Sequence, residues 1–258
     1  MPVSLDLRAI KAEARSLLRT GEVNPFKLTL LYLFISLVLD TVNAGVSYTI
    51  ESAGGFTVLS FSFVSILIGL VSLVLNAGYY CYCFGILRRE YMPYESLFDA
   101  FPFAGKVILL SIVEGIFIFL WSMLFVIPGI IAAYRYSFAM MNLCENPNLG
   151  VMEALDLSKR QTNGYKMQFF FLQLSFIGWS LLVLGIFLIY ELLVAALLPD
   201  SFLGIMFGSL LLSVLAAGVG VYLTPYLNLS ICRFYLLATG DPAGGTEPPH
   251  SDPWDTQF

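Results

Sequence analysis

The chain has 258 residues, of which 58% are hydrophobic, 15% aromatic and only 12% charged. A soluble domain carries about 25% charged residues, so this composition predicts an integral membrane protein. The net charge of −5 does not identify a partner, because the acids are scattered or lie near the C-terminus. Nucleic acid is excluded as an expected partner, since the thirteen Lys and Arg residues form no dense patch with interleaved aromatics.

The positions of the Lys and Arg residues predict the orientation in the membrane. All of them except Arg135 flank the hydrophobic segments on one side, and the loops on the other side contain none. Cytoplasmic loops retain Lys and Arg whereas translocated loops lack them. We therefore predict a multi-pass protein with cytoplasmic N- and C-termini.

Three segments have the pattern of amphipathic helices lying on the cytoplasmic surface. Ser4 or Asp6 is the predicted cap of the first, Gly21 ends it, and Asn148 is the predicted cap of the third. The three segments cover residues 4–21, 90–105 and 149–162.

Six hydrophobic segments are predicted to span the membrane, which takes about 20 residues for a helix. Pro128 and Gly129 are expected to break the third span and open a tight external turn, which leaves the fourth span short. Pro225 predicts a kink in the sixth, and these three residues are the candidate hinges. The spans cover residues 27–50, 58–87, 106–127, 130–144, 167–198 and 202–233.

The order of surface helix, outward span, turn and inward span occurs three times and suggests an internal repeat. Glu95 precedes Trp121 by as many residues as Glu153 precedes Trp179. A chance likeness between any two segments of this kind is the alternative. The fold class is therefore an all-α polytopic membrane protein with one domain. We assign this domain to residues 1–239, with units 4–89, 90–146 and 147–239, and predict a disordered tail over 240–258.

The candidate functional residues are ionisable groups inside spans, where a charge is costly without a partner. Depth along the helices makes Glu191 the best partner for Arg135 and Asp40 the second. Glu114 is expected to be protonated or to lie in a cytoplasm-facing cavity with Asn76. The set predicts either an interhelical salt bridge or a polar site for a substrate, ion or lipid headgroup.

The residues that enzymes need are missing from the predicted spans. The only histidine is His250, in the predicted tail, so a Ser-His pair or a His-based metal site inside the membrane is excluded. Cys81, Cys83, Cys144 and Cys232 are interpreted as packing or interfacial thiols. There is no nucleotide-binding motif. We predict no enzymatic activity, no metal and no cofactor.

Several motifs between residues 127 and 179 resemble a family of bacterial six-helix integral membrane proteins of unknown function. The resemblance extends over about residues 5–240 and implies a bacterial cytoplasmic membrane protein. It is more distantly similar to the membrane domains of some glycerophosphodiester phosphodiesterases, whose soluble enzyme domain is missing here. The motifs are Ile127-Pro128-Gly129-Ile130-Ile131, Tyr134-x-Tyr136-Ser137, Asn146-Pro147, Glu153-Ala154-Leu155-x-Leu157-Ser158, Gly164-x-Lys166 and Ser175-Phe176-Ile177-Gly178-Trp179.

Two functional hypotheses follow from these observations. The first is a non-enzymatic accessory or interaction protein in envelope homeostasis or protection from membrane-active peptides. Its surface helices and basic loops would engage anionic membrane lipid, a partner membrane protein or a second copy of the chain. The alternative is a small transporter or channel-like protein in which Arg135, Glu191, Asp40 and Glu114 form a path.

Overall fold

The structure, a computed structural model, describes residues 5–20, 25–52, 55–197 and 202–240. Over these ranges the chain forms α-helices and short 3₁₀ helices and no strand, which confirms the all-α prediction. Gly21 and residues 241–258 lie outside the described ranges. The α-helices are α1 (Leu7–Thr20), α2 (Pro25–Ser52), α3 (Gly55–Leu87), α4 (Ala104–Leu124), α5 (Val126–Tyr136), α6 (Ala139–Glu145), α7 (Val151–Gln161), α8 (Lys166–Leu197) and α9 (Phe202–Thr239).

Four helical stretches of the described chain are long and apolar enough to cross a membrane. The predicted fourth span falls on α5 and α6, which have 11 and 7 residues and are interrupted at Ser137 and Phe138. The predicted sixth span falls on α9, of which only the side chains from residue 218 onward are described. The six-span topology therefore stays a prediction. The four stretches are Pro25–Asn43, Phe63–Leu87, Tyr94–Leu124 and Lys166–Tyr190.

The prediction of one amphipathic surface helix over residues 90–105 is wrong. The chain there forms two 3₁₀ helices, Tyr94–Phe98 and Phe101–Phe103. Pro102 explains the difference, because it has no N–H and its ring would clash with the Phe98 carbonyl in a continuous α-helix. The helical spacing of four hydrophobic residues favoured that helix, and of these only Leu97 is fully buried, whereas Tyr94, Phe98 and Phe101 are exposed.

The turn after α4 lies at Phe125, whereas the sequence predicted it three residues later, at Pro128. Phe125 adopts an extended conformation and α5 begins at Val126. Pro128 occupies the first turn of α5, where the missing N–H would have had no partner within the helix. It therefore starts a helix instead of ending one. Gly129 is buried, and a Cβ at this position would clash with the side chain of Ser122 on α4.

The predicted caps of the two surface helices have different outcomes. Asp6 caps α1, since its Oδ1 accepts hydrogen bonds from the backbone N–H groups of Arg8 and Ala9 at 2.9 and 3.4 Å. Asn148 does not cap α7, because that helix starts after Gly150. There the Glu153 carboxylate accepts the hydrogen bond from the Gly150 N–H instead.

Buried side chains of the described residues concentrate at one end of the bundle, which we call the α1 end. Here α1 packs on the end of α9, and the same buried cluster includes side chains from the start of α2, the end of α3, α6 and the start of α8. Away from it, the long helices expose many large apolar side chains, such as Phe34, Phe63 and Leu181. Exposed apolar surface of this extent is typical of contact with lipid.

Candidate functional site

The predicted intramembrane polar residues are not brought together in the described structure. Asp40 is exposed on α2 and Glu114 is half-buried on α4. Neither makes a hydrogen bond or ion pair with a described residue. The side chain of Glu191, on α8, lies outside the described part of the chain. The transport path that these residues would form therefore stays a prediction.

Arg135 lies in the last turn of α5, against α7. Its backbone carbonyl accepts hydrogen bonds from the hydroxyls of Ser158 and Thr162 at 2.9 and 3.3 Å. Lys159, with smaller contributions from Arg160 and Arg135, holds the pKa of the exposed Asp156 carboxyl below its ordinary value. The Arg135 charge is thus grouped with the charges of α7.

Asn76 and the tyrosines beside Pro225 make contacts that the sequence did not indicate. The Asn76 amide donates a hydrogen bond to the Tyr32 hydroxyl on α2 at 3.4 Å. Pro225 is buried within α9, which continues as a helix from Phe202 to Thr239. Of the tyrosines at either side of it, Tyr222 stacks on Phe26 at the start of α2, and the rings of Tyr222 and Tyr226 are tilted by 43° to each other.

Helix α1 packs against α9, and Leu5, just before α1, bonds to α8. Its apolar side chains Ile10, Ala14 and Leu18 are buried. On one side of this apolar stripe, the Glu13 carboxylate forms an ion pair of 2.8 Å with Arg233 of α9. The backbone N–H of Leu5 donates a hydrogen bond to Gln168 of α8 at 3.0 Å. Because of these contacts, only the remaining side of α1 is available to bind other molecules.

Four basic residues form the other side of α1, which we call the α1 basic face. At about 100° per residue, they fall within about 80° of one another around the helix. Arg8, Arg15 and Arg19 are exposed and Lys11 is half-buried. None of them forms an ion pair with a carboxylate in the described part of the chain. The α1 basic face consists of Arg8, Lys11, Arg15 and Arg19.

Aromatic rings of α8 and α9 lie directly beside the α1 basic face. The Lys11 ammonium is 4.5 Å from the centroid of the Phe176 ring. The Arg15 guanidinium donates a 3.1 Å hydrogen bond to the Tyr226 hydroxyl, and its central carbon is 5.5 Å from the centroid of that ring. Cation–π contacts of this kind hold a cation in place without neutralising it. The two positive charges stay available to an anion.

Burial lowers the pKa of the Lys11 ammonium below its ordinary value, and the neighbouring Arg15 charge adds to this effect. The hydrogen bond to Tyr226 raises the pKa of Arg15. The Lys11 ammonium and the Arg15 guanidinium lie next to each other, and no carboxylate of a described residue forms an ion pair with either. An anion bound between them would relieve their mutual repulsion.

Sequence reasoning identified α1 as a surface helix and missed where its charges would lie. The periodicity places Arg8, Lys11, Arg15 and Arg19 on one face, and this signal was present in the chain. The pairing with Phe176 and Tyr226 depends on residues more than 160 positions away, so nothing local could reveal it.

The described residues are helical, their candidate spans indicate a membrane protein, and a basic, aromatic-lined surface lies at the α1 end. Residues 123–240 match a family described as Protein of unknown function (DUF975). The match covers the segment that carries the Pro128, Ser158 and Trp179 motifs, and it amounts to less than half of the chain. No curated protein and no solved structure matches the chain.

Proposed function

We propose that this protein is a non-enzymatic accessory protein of the bacterial cytoplasmic membrane that binds anionic lipid headgroups at the α1 basic face. In this proposal the chain crosses the membrane six times with both termini in the cytoplasm. The headgroups of the cytoplasmic leaflet then lie at the level of α1. The proposed biological role is in envelope homeostasis or in protection from membrane-active peptides.

The α1 basic face is the observation that carries this proposal. Its four cations lie on one side of α1, and Glu13, the one acidic residue within Leu7–Thr20, is paired with Arg233. A basic cluster next to a bilayer attracts anionic lipid, with a contribution from each Lys or Arg. Phe176 contacts Lys11 and Tyr226 contacts Arg15. These contacts hold the two charges in position before a lipid binds.

Removal of the two supported charges tests the proposal. We expect Lys11→Gln combined with Arg15→Gln to reduce the preference for phosphatidylglycerol over phosphatidylcholine by about tenfold, because two headgroup contacts are lost. The measurement is electron paramagnetic resonance of spin-labelled lipids of both kinds around the protein in phosphatidylcholine nanodiscs.

Two control variants separate charge at this site from charge in general and from folding. Lys159→Gln with Arg160→Gln removes the same charge from α7, where Lys159 is paired with Asp156. Lys11→Arg with Arg15→Lys keeps the charge on α1. Both controls should retain the lipid preference. An equal loss in the α7 variant, or no loss in the α1 variant, would contradict the proposal.

The pKa of Lys11 provides a second test, because a bound anion should reverse its shift. In the lipid-free fold, burial disfavours the charged form, so folding stability rises as the pH increases through the lowered pKa. An anionic headgroup favours the charged form and should raise this pKa. Carbon NMR of methylated lysines, assigned with Lys11→Arg, should show the increase in phosphatidylglycerol nanodiscs and not in phosphatidylcholine. Equal titration in both lipids would exclude a headgroup at Lys11.

A further inference from the structure

A cavity of about 260 Å³ lies between α5, α8 and α9. Its walls are mainly apolar and aromatic. Pockets for drug-sized ligands measure about 300–1,000 Å³, so this one fits part of an extended chain and not a whole lipid. The wall residues include Tyr134, Phe170, Gln173, Phe176, Leu227 and Ile231.

The cavity opens at a position that is expected to lie within the bilayer. Leu174 and Ile177 also line it, and they are 42% and 45% exposed on the surface of α8. Both belong to Lys166–Tyr190, one of the four candidate membrane spans. A lipid chain can therefore enter sideways from the surrounding hydrocarbon, whereas a water-soluble ligand would have to cross it.

One polar pair lies within the apolar wall. The Tyr134 hydroxyl donates a 2.9 Å hydrogen bond to the Gln173 side-chain oxygen. This leaves the Gln173 amide nitrogen as a donor that no described residue accepts from. A donor in an apolar surrounding is satisfied by a carbonyl oxygen, and the ester carbonyl at the head of a lipid chain supplies one.

Phe176 connects the cavity to the α1 basic face. Its side chain lines the cavity, and the Lys11 ammonium lies 4.5 Å from the centroid of its ring. A ligand with a chain in the cavity thus has cationic groups within reach of its headgroup. An apolar cavity with cationic groups beside it is typical of a binding site for an anionic amphiphile.

We propose that the cavity holds one acyl chain of an anionic glycerolipid, with an ester carbonyl accepting a hydrogen bond from Gln173 and the headgroup at Lys11 and Arg15. The headgroup part rests on the proposed function. The chain part rests on the cavity and on Gln173 alone. The lipid would be a structural ligand that joins α1 to the helices around the cavity.

Photo-crosslinking tests the position of the chain. The full-length protein is placed in nanodiscs containing phosphatidylglycerol or phosphatidylcholine with a diazirine on one acyl chain, and cross-linked residues are identified by mass spectrometry. We expect cross-links at Leu227 and Ile231 on the cavity wall. Leu227→Trp fills the cavity and should reduce them at Ile231 about tenfold, whereas Leu181→Trp, on an exposed part of α8, should leave them unchanged.

Gln173→Leu replaces the amide with a shorter apolar side chain, which removes the donor and also the acceptor of the Tyr134 hydroxyl. It should reduce cavity cross-links severalfold, and it gives a result even where Leu227→Trp fails to fold. Wild-type cross-links spread evenly along the exposed face of α8, or unaffected by Gln173→Leu and Leu227→Trp, would overturn the chain site. Equal cavity cross-linking by both lipids would overturn the headgroup preference and leave the chain site intact.

Discussion

Gly78→Ala is expected to destabilise the protein strongly. Gly78 lies on α3 where the backbone carbonyl of Leu97 approaches it so closely that a Cβ would clash with both the oxygen and the carbon of that group. Leu97 is fully buried in a 3₁₀ helix, so its backbone has no space to move. We expect a loss of about 3 kcal/mol or more in the free energy of unfolding.

Two other glycines of α3 are matched controls for this substitution. A Cβ on Gly69 meets open space, so Gly69→Ala should be neutral or slightly stabilising through its helix propensity. The nearest atoms to a Cβ on Gly85 belong to the Met92 side chain, which is flexible and can shift, so Gly85→Ala should have an intermediate effect. Thermal unfolding in detergent followed by size-exclusion chromatography measures all three. Similar melting of Gly78→Ala and Gly69→Ala would show that α3 does not approach Leu97 in this way.

Ser158→Ala should produce the second largest loss of stability. The chain between α5 and α6 is interrupted at Ser137 and Phe138, and Ser158 of α7 satisfies the backbone groups beside the break. Its hydroxyl donates to the Arg135 carbonyl at 2.9 Å and accepts from the Phe138 N–H at 3.2 Å. Ser158 is fully buried, so water cannot replace these bonds. Its removal leaves the Phe138 N–H without its partner, while the Arg135 carbonyl keeps the 3.3 Å bond from Thr162, so we expect a loss of about 1–3 kcal/mol.

Ser175→Ala is the matched control for Ser158→Ala. The Ser175 hydroxyl bonds only to the Leu172 carbonyl within its own helix, and its residue is exposed on α8. Its removal should change the melting temperature little. Hydrogen exchange of the Phe138 amide provides a local readout, which should accelerate in Ser158→Ala. An unchanged exchange rate would show that the break is held by other groups.

The long helices were predictable because hydrophobicity and flanking charges act over many residues. The predicted bounds of the segments that became α2, α3 and α8 differ from the observed helix ends by only a few residues. The turn at Phe125 was placed too late, since Pro128 is compatible with the first turn of a helix as well as with a break. Local sequence cannot distinguish these two roles.

The candidate site was less predictable, because it depends on tertiary contacts. The sequence singled out rare charges such as Arg135 from depth along a span, but Arg135 lies against α7. Ser158 was visible only as part of a motif, and its role needs the break between α5 and α6 to be known. The α1 basic face gains its aromatic support from α8 and α9, far away in the chain.

The most direct test of lipid binding at α1 is native mass spectrometry of the wild-type protein released from nanodiscs with equal amounts of phosphatidylglycerol and phosphatidylcholine. Binding at the α1 basic face predicts that the retained lipid is mainly phosphatidylglycerol. Retention of the two lipids in the ratio of the bilayer would contradict the proposed function.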